Sequence, residues 1–112
     1  MIIRLSQKLA KKIKAGTLSS LPPDEISYTD WSANLFTADR TQYILLTNTQ
    51  SLYSVVMFGK GITDDSHFIS RALDNIREFM EDDGQAFAYQ RFIAPASSSV
   101  TFAKALNRSV TG

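Results

Sequence analysis

The fold is decided by residues 33–58, which read ANLFTADRTQYILLTNTQSLYSVVMF. Aromatic and β-branched side chains are concentrated there, and such residues favour strands. They form three runs, 33–38, 42–48 and 52–58. Because only three polar residues separate each run from the next, and connections this short join antiparallel neighbours, the stretch predicts three antiparallel strands.

Two of these runs contain continuous apolar segments, residues 43–46 and 55–58. A strand that is apolar at every position has apolar side chains to bury on both faces of the sheet. The pattern therefore predicts strands covered on both faces, either within the chain or by helices on one face and a second subunit on the other.

A long amphipathic helix is predicted over residues 65–83, begun by Thr63 or Asp64 and ended by Gly84. Its apolar residues recur at a spacing that places them on one side of a helical wheel. They are Phe68, Ile69, Ala72, Leu73, Ile76, Phe79 and Met80. All seven are expected to face the sheet, whereas His67, the only histidine, falls among the solvated charges.

Shorter elements flank this centre. Residues 1–5 predict a strand, and Ser6 can cap a short helix over residues 7–14. The connection 17–30 includes two consecutive prolines, and its length is typical of a lid or a binding loop. Residues 87–93 predict another strand, and residues 100–106 favour a strand over a helix.

The expected fold class is therefore α+β. We predict a single domain over residues 1–112, with an antiparallel sheet of about five strands and one long and one short helix packed on it. A chain of 112 residues has the usual length of one domain and can bury a core without covalent staples.

Composition excludes several classes of function. Twelve basic and eleven acidic side chains give a net charge of +1, which supplies no general attraction to nucleic acid or to an anionic membrane. The absence of cysteine excludes disulfides, thiolate metal sites and cysteine nucleophiles, and fits a reducing compartment. No apolar run is long enough for a membrane span, so a cytoplasmic protein without membrane contact is expected.

The charges are nevertheless segregated along the chain. Residues 1–14 contain five basic side chains and no acidic one, and Lys8, Lys11 and Lys12 are the candidates for contact with nucleic acid. Residues 81–83 are all acidic. They could hold a divalent cation, but compensation by the N-terminal lysines or by another subunit is the preferred interpretation.

No catalytic set emerges from the motifs. Residues 59–61 read GKG before a helix, but the spacing of a phosphate-binding loop is absent and acidic residues follow. The serines at 97–99 lack the pattern of a nucleophile elbow. The sequence therefore predicts no catalytic residue, no cofactor and no metal site.

Three short motifs carry a resemblance to a known family. They are RLSQKL at 4–9, DWSANLF at 30–36 and NRSVTG at 107–112. Together they resemble an uncharacterised family of small bacterial proteins described only as a domain of unknown function. The resemblance implies that Trp31, Asn34, Arg108, Ser109 and Gly112 are the positions of interest. Members of that family typically continue beyond the last motif, which implies that this chain is shortened.

These motif positions permit a physical interpretation. Trp31, just before a strand, is expected to be a core anchor or one wall of a pocket. Arg108 beside Ser109 suits an anion or the carboxylate of a partner.

Three functions remain open on the sequence. The leading hypothesis is a non-enzymatic protein-interaction or regulatory module that self-associates, with a dimer favoured, through a sheet edge or an apolar sheet face. The second is nucleic-acid binding through Lys8, Lys11 and Lys12. The third is a small anion-binding protein or enzyme that uses Trp31, Arg108 and Ser109, with the 17–30 connection as a lid.

Overall fold

A computed structural model describes residues 1–106 of the chain. The main elements in chain order are β1 (Ile2–Leu5), α1 (Gln7–Lys12), β2 (Asp30–Ala38), β3 (Thr41–Asn48), β4 (Ser54–Phe58), α2 (Asp65–Asp82) and β5 (Thr101–Lys104). A short 3-10 helix, Ser27–Thr29, precedes β2. A third helical segment spans residues 86–96, with a π-helical turn between two α-helical turns.

The five strands form one mixed sheet in the order β4-β3-β2-β1-β5. The antiparallel pairing of β2, β3 and β4 agrees with the prediction from their short connections. However, β1 is parallel to both β2 and β5, so the predicted antiparallel sheet is wrong. Parallel neighbours need a long crossover, and the chain supplies one through α1 and another through α2.

All helices lie on one face of the sheet. The strands contribute alternate residues to a single apolar core, as expected for the two-residue period of a strand. These are Ile3, Leu5, Trp31, Ala33, Ile44, Leu46, Val55 and Met57. The helices complete the same core with Leu9, Ile13, Phe68, Ala72, Ile76, Met80, Tyr89 and Ile93. The opposite face of the sheet has no helix on it among the described residues.

The predicted long helix is confirmed. The side chain of Asp64 accepts a hydrogen bond from the backbone N–H of His67 at 2.7 Å and so caps the start of α2. The chain leaves α2 through Gly84, whose φ of +76° is the left-handed conformation that favours glycine. Phe79 is 38% exposed, so the prediction that every apolar residue of α2 faces the sheet is wrong for this side chain.

The strand predicted over residues 87–93 is wrong, because this stretch is helical. Tyr89 and Ile93 are buried and stand four residues apart, which is the spacing of one helix face. The π-helical turn ends just before Pro95, which has no backbone N–H to donate within a helix.

The first and last elements follow the sequence more closely. Ser6 accepts a hydrogen bond from the backbone N–H of Leu9 at the start of α1, and the predicted strands near residues 1–5 and 100–106 are present as β1 and β5. Among residues 1–106, no helix combines the length and the apolar character needed to cross a membrane.

Candidate functional site

One half of the helix-free face is closed by a buried arginine. Arg4 is 1% exposed, and its Nε and Nη2 donate to the two carboxylate oxygens of Asp30 at 2.9 Å each. The guanidinium also donates to the backbone carbonyls of Leu21, Pro22 and Lys104 at 2.9, 3.0 and 3.3 Å. These five bonds match the five N–H groups of an arginine side chain, so the buried charge is fully partnered.

Asp30 completes this cluster. Burial opposes its ionisation, but hydrogen bonds from Arg4, the Asp24 amide and Thr49, together with the Arg4 charge, hold the pKa of Asp30 below its ordinary value. The 17–30 connection is therefore tied to the sheet through its own carbonyls. Opening it as a lid would leave the Arg4 charge buried without all of its partners, so the contacts argue against the predicted lid.

The other half of the same face is bare. Five uncharged side chains on β2, β3 and β4 make up what we call the open patch: Phe36, Tyr43, Leu45, Val56 and Phe58. Phe58 is 61% exposed, and Phe36 and Val56 are each 41% exposed. No helix or connection covers these side chains among the described residues. Asn34 lies on this face too, opposite Leu45 in the β2–β3 pairing.

The three aromatic rings of the open patch form a ladder across the strands. Tyr43 is the direct cross-strand partner of both Phe36 and Phe58. Each neighbouring pair has ring centroids 5.4 Å apart, with interplanar angles of 22° and 30°. The rings therefore turn their faces toward one another and contribute to the stability of the sheet.

Next to this ladder, β4 forms a free edge of the sheet. The Asn48 amide donates to Tyr53 O at 2.7 Å, and the Gly59 amide donates to Gln42 O at 2.9 Å. Because hydrogen bonding alternates along an antiparallel pair, the backbone groups of Ser54, Val56 and Phe58 point away from β3. No strand lies beyond β4 in the described part of the chain. Its sequence, SVVMF, has no charge or proline to protect that edge.

A cavity of about 380 Å³ lies on the helix side of the sheet, beside Trp31. The indole of Trp31 is 1% exposed, and its Nε1 donates to the backbone carbonyl of Tyr28 at 2.8 Å. Trp31 packs edge-on against Tyr53, with ring centroids 6.3 Å apart. Trp31 is therefore both a core anchor and part of a cavity wall, the two roles that the sequence suggested for it.

The far side of this cavity reaches the end of α2. The hydroxyl of Tyr53 donates to the carboxylate of Asp83 at 2.6 Å. Burial of the phenol, this hydrogen bond and the charges of Asp83 and Asp82 raise the pKa of Tyr53 to about 12. The local field is therefore negative.

The structure separates the residues that the sequence placed together. Trp31 and Asn34 stand on opposite faces of the sheet, because they lie three residues apart on one strand. Arg108 and Ser109 lie outside the described residues, as does Gly112, and no basic side chain lines the Trp31 cavity. The geometry of the described chain thus brings together no part of the predicted anion site beyond Trp31.

The N-terminal lysines lie away from the open patch. Lys8 and Lys11 are exposed on α1, whereas Lys12 Nζ donates to the Gln42 side chain at 3.0 Å. Because α1 packs on the opposite sheet face, these cations and the aromatic ladder belong to different surfaces. Within residues 1–106, no ion pair links the lysines to the acidic residues 81–83, so the predicted compensation by these lysines is not formed there.

The sequence reasoning missed Tyr28, Tyr53 and the aromatic ladder. A signal for the ladder was present, because short turns fix the register of neighbouring strands. Aligning 33–38 with 42–48 and 52–58 around their turns places Phe36, Tyr43 and Phe58 in one row. Tyr28 and Tyr53 carried no such signal, since both lie outside the strands.

Comparison with known proteins identifies a family for this chain. The model of a family described as a domain of unknown function (DUF6933) matches residues 2–112. This confirms the resemblance to a family of unknown function, while the role of the short motifs stays a prediction. No curated protein and no solved structure matches the chain.

Proposed function

Because the chain belongs to the DUF6933 family, whose description assigns no activity, we propose a function from its geometry: a non-enzymatic interaction or regulatory module that self-associates as a dimer. The observation that carries this proposal is the open patch beside the free edge of β4. We expect the dimer to form in the cytoplasm, where a chain without cysteine loses nothing in a reducing environment.

The exposed side chains of the open patch favour a protein partner. Apolar surface removed from water contributes roughly 25 cal/mol per Å², and contiguous apolar surface of this kind marks interaction sites. All five side chains of the patch are uncharged. No like charges therefore meet within the patch itself when a second copy approaches, which favours self-association over a charged partner; Arg71 of α2 lies at its margin, in a groove with Val56 and Phe58.

The free edge of β4 specifies how two copies would meet. A strand can pair with its own copy in an antiparallel arrangement around a two-fold axis. With the axis at Val56, that residue faces Val56 of the partner subunit, and Ser54 faces Phe58 of the partner subunit. The outward backbone groups of these residues then bond to each other. The two sheets become continuous, with both aromatic ladders on the same side, so the pairing buries the margin of each open patch at Val56 and Phe58.

Nucleic-acid binding through Lys8, Lys11 and Lys12 has weaker support. Proteins that stack bases on a sheet need aromatic faces and cations on one surface. Here the ring faces are used by neighbouring rings, and the lysines lie on the opposite side of the sheet. Under this alternative, DNA or RNA binding would weaken with salt and with Lys11→Glu, whereas the proposed module shows no shift at low salt.

Light scattering coupled to size-exclusion chromatography tests the proposal. Across about 1–100 μM we expect the mass to approach twice the 12.5 kDa of one chain. Phe58→Lys places a charge within the interface, two residues from the axis at Val56, and is expected to return the monomer mass. The matched control is Phe87→Lys, at a residue that is 77% exposed and lies outside the patch, and it should leave the dimer intact.

A proline substitution separates edge pairing from packing of the patch alone. Val56→Pro removes an N–H that points away from β3, so the hydrogen bonds within the sheet are kept while pairing between copies is lost. We expect a folded monomer by circular dichroism and light scattering. A wild-type chain that stays monomeric over the whole concentration range would overturn the proposed dimer.

A further inference from the structure

The cavity beside Trp31 has a chemistry that the open patch does not share. Its volume of about 380 Å³ is that of a small-molecule site. Three aromatic side chains, Tyr28, Trp31 and Tyr53, line it together with the thioether of Met80. Among the described residues, none of the side chains that line it is basic.

Three carboxylates lie at the end of α2, next to the cavity but not among the side chains that line it. Tyr53 is hydrogen-bonded to Asp83, and Asp82 and Glu81 precede it at the end of α2. A helix C-terminus carries partial negative charge of its own. Within residues 1–106, no ion pair involves any of these three carboxylates.

Outside the cavity, Tyr28 belongs to an aromatic stack that holds one cation. Tyr28 stacks on Phe92 with ring centroids 4.7 Å apart and an interplanar angle of 2°. The guanidinium carbon of Arg91 lies 5.9 Å from the centroid of the Phe92 ring. Rings of this kind attract cations through the negative potential of their faces.

We infer that this cavity binds an organic cation, whose alkylated ammonium group packs against Tyr28 and Tyr53 beside the buried Trp31 and whose charge is balanced by Asp83. Aromatic walls with a carboxylate nearby are the usual recognition chemistry for such groups. An anion would meet the charges of Asp82 and Asp83, and among residues 1–106 no cationic side chain lines the cavity to offset them. The inference is independent of the proposed dimer, because the cavity and the open patch lie on opposite faces of the sheet.

Trp31 makes the inference directly measurable, because it is the only tryptophan in the sequence. The probe is choline chloride, titrated while the indole fluorescence is followed. The control is 3,3-dimethyl-1-butanol, which has the same shape with carbon in place of the charged nitrogen. We expect a saturable change with choline and binding roughly tenfold weaker with the neutral analogue. Sodium chloride at equal ionic strength should have no such effect.

Matched substitutions locate the charge that matters. Asp83→Asn keeps the shape of the side chain and is expected to weaken choline binding by roughly three- to tenfold. Asp74→Asn removes one charge from the same helix, nine residues and so about 13 Å away, beyond the range of strong interaction at physiological salt. It should leave the affinity unchanged. Likewise, Tyr28→Leu should weaken binding, whereas Phe87→Leu should not.

A second readout covers the case in which binding leaves the fluorescence unaltered. Met80 lines the cavity and Met57 does not, so the methyl resonance of Met80 should shift with choline while that of Met57 stays fixed. Equal responses to choline and to its neutral analogue would overturn the inference, since the cavity would then be merely apolar. So would the absence of any shift at Met80 combined with unchanged fluorescence.

Discussion

The two halves of the helix-free face of the sheet differ in how their side chains are shielded from water. At β1 and the start of β2, the chain covers itself with a charged side chain, Arg4, and supplies a partner for each of its N–H groups. At β3 and β4, the chain leaves uncharged aromatic rings exposed. A buried charge requires its partners within the folded chain, whereas an apolar surface can stay open until another molecule covers it.

Removing the counter-ion of the buried Arg4 should have the largest effect on the stability of the fold. Asp30→Asn keeps the side-chain shape but leaves the Arg4 charge buried without its counter-ion, and we expect a loss of about 3–5 kcal/mol in the free energy of unfolding. Urea denaturation followed by Trp31 fluorescence measures this loss. Asp39→Asn, at an exposed turn, is the matched control and should change stability by less than about 0.5 kcal/mol. A loss below about 1 kcal/mol in Asp30→Asn would show that the pair is dispensable.

Lowering the pH should gradually weaken the interaction between Asp30 and Arg4. The pKa of Asp30 is lowered in the folded chain, so its ionised form stabilises the fold above the ordinary value of 3.8, and that contribution is lost as pH falls through the folded pKa. Denaturation between about pH 5 and pH 2 should show a steeper decline for wild type than for Asp30→Asn. Parallel declines would mean that other carboxylates account for the acid sensitivity.

Truncation in the open half should have the smallest effect on a single chain. Phe58→Ala removes an exposed ring that stacks on Tyr43, and a loss of about 1 kcal/mol or less is expected in dilute protein. Phe68→Ala removes a fully buried ring from α2 and should cost about 3–5 kcal/mol. If both substitutions cost the same under dilution, the open patch would be part of the core of the monomer.

Local signals account for the elements that the sequence predicted well. The apolar spacing in α2, its start at Asp64 and its end at Gly84 act within a few turns of helix. The short turns around residues 39–41 and 49–51 likewise fix antiparallel pairing without reference to the rest of the chain.

Long-range choices could not be predicted in the same way. No local feature of residues 2–5 predicts that they pair with β5, which lies about a hundred residues away. In the segment 86–96, the buried residues Tyr89 and Ile93 have a helical spacing. The aromatic residues of the same segment favour a strand, and for this reason the helix was not predicted. In the sequence, Arg4 lies among other basic residues and nothing indicates that it is buried. Its burial depends on Asp30 and on backbone carbonyls that only the fold brings next to it.

The same long-range dependence applies to the site. The place of Trp31 before a strand predicts a cavity wall, whereas Tyr28, Tyr53 and Asp83 come close to it only through the packing of three separate segments.

The interior position of β1 in the sheet has a consequence for biosynthesis. This strand is parallel to β2 on one side and to β5 on the other. One side of β1 therefore stays unpaired until β5, about a hundred residues later, has been translated. During that interval its unpaired backbone is open to wrong partners, so nascent chains should rely on chaperones more than a sheet closed from its N-terminus would.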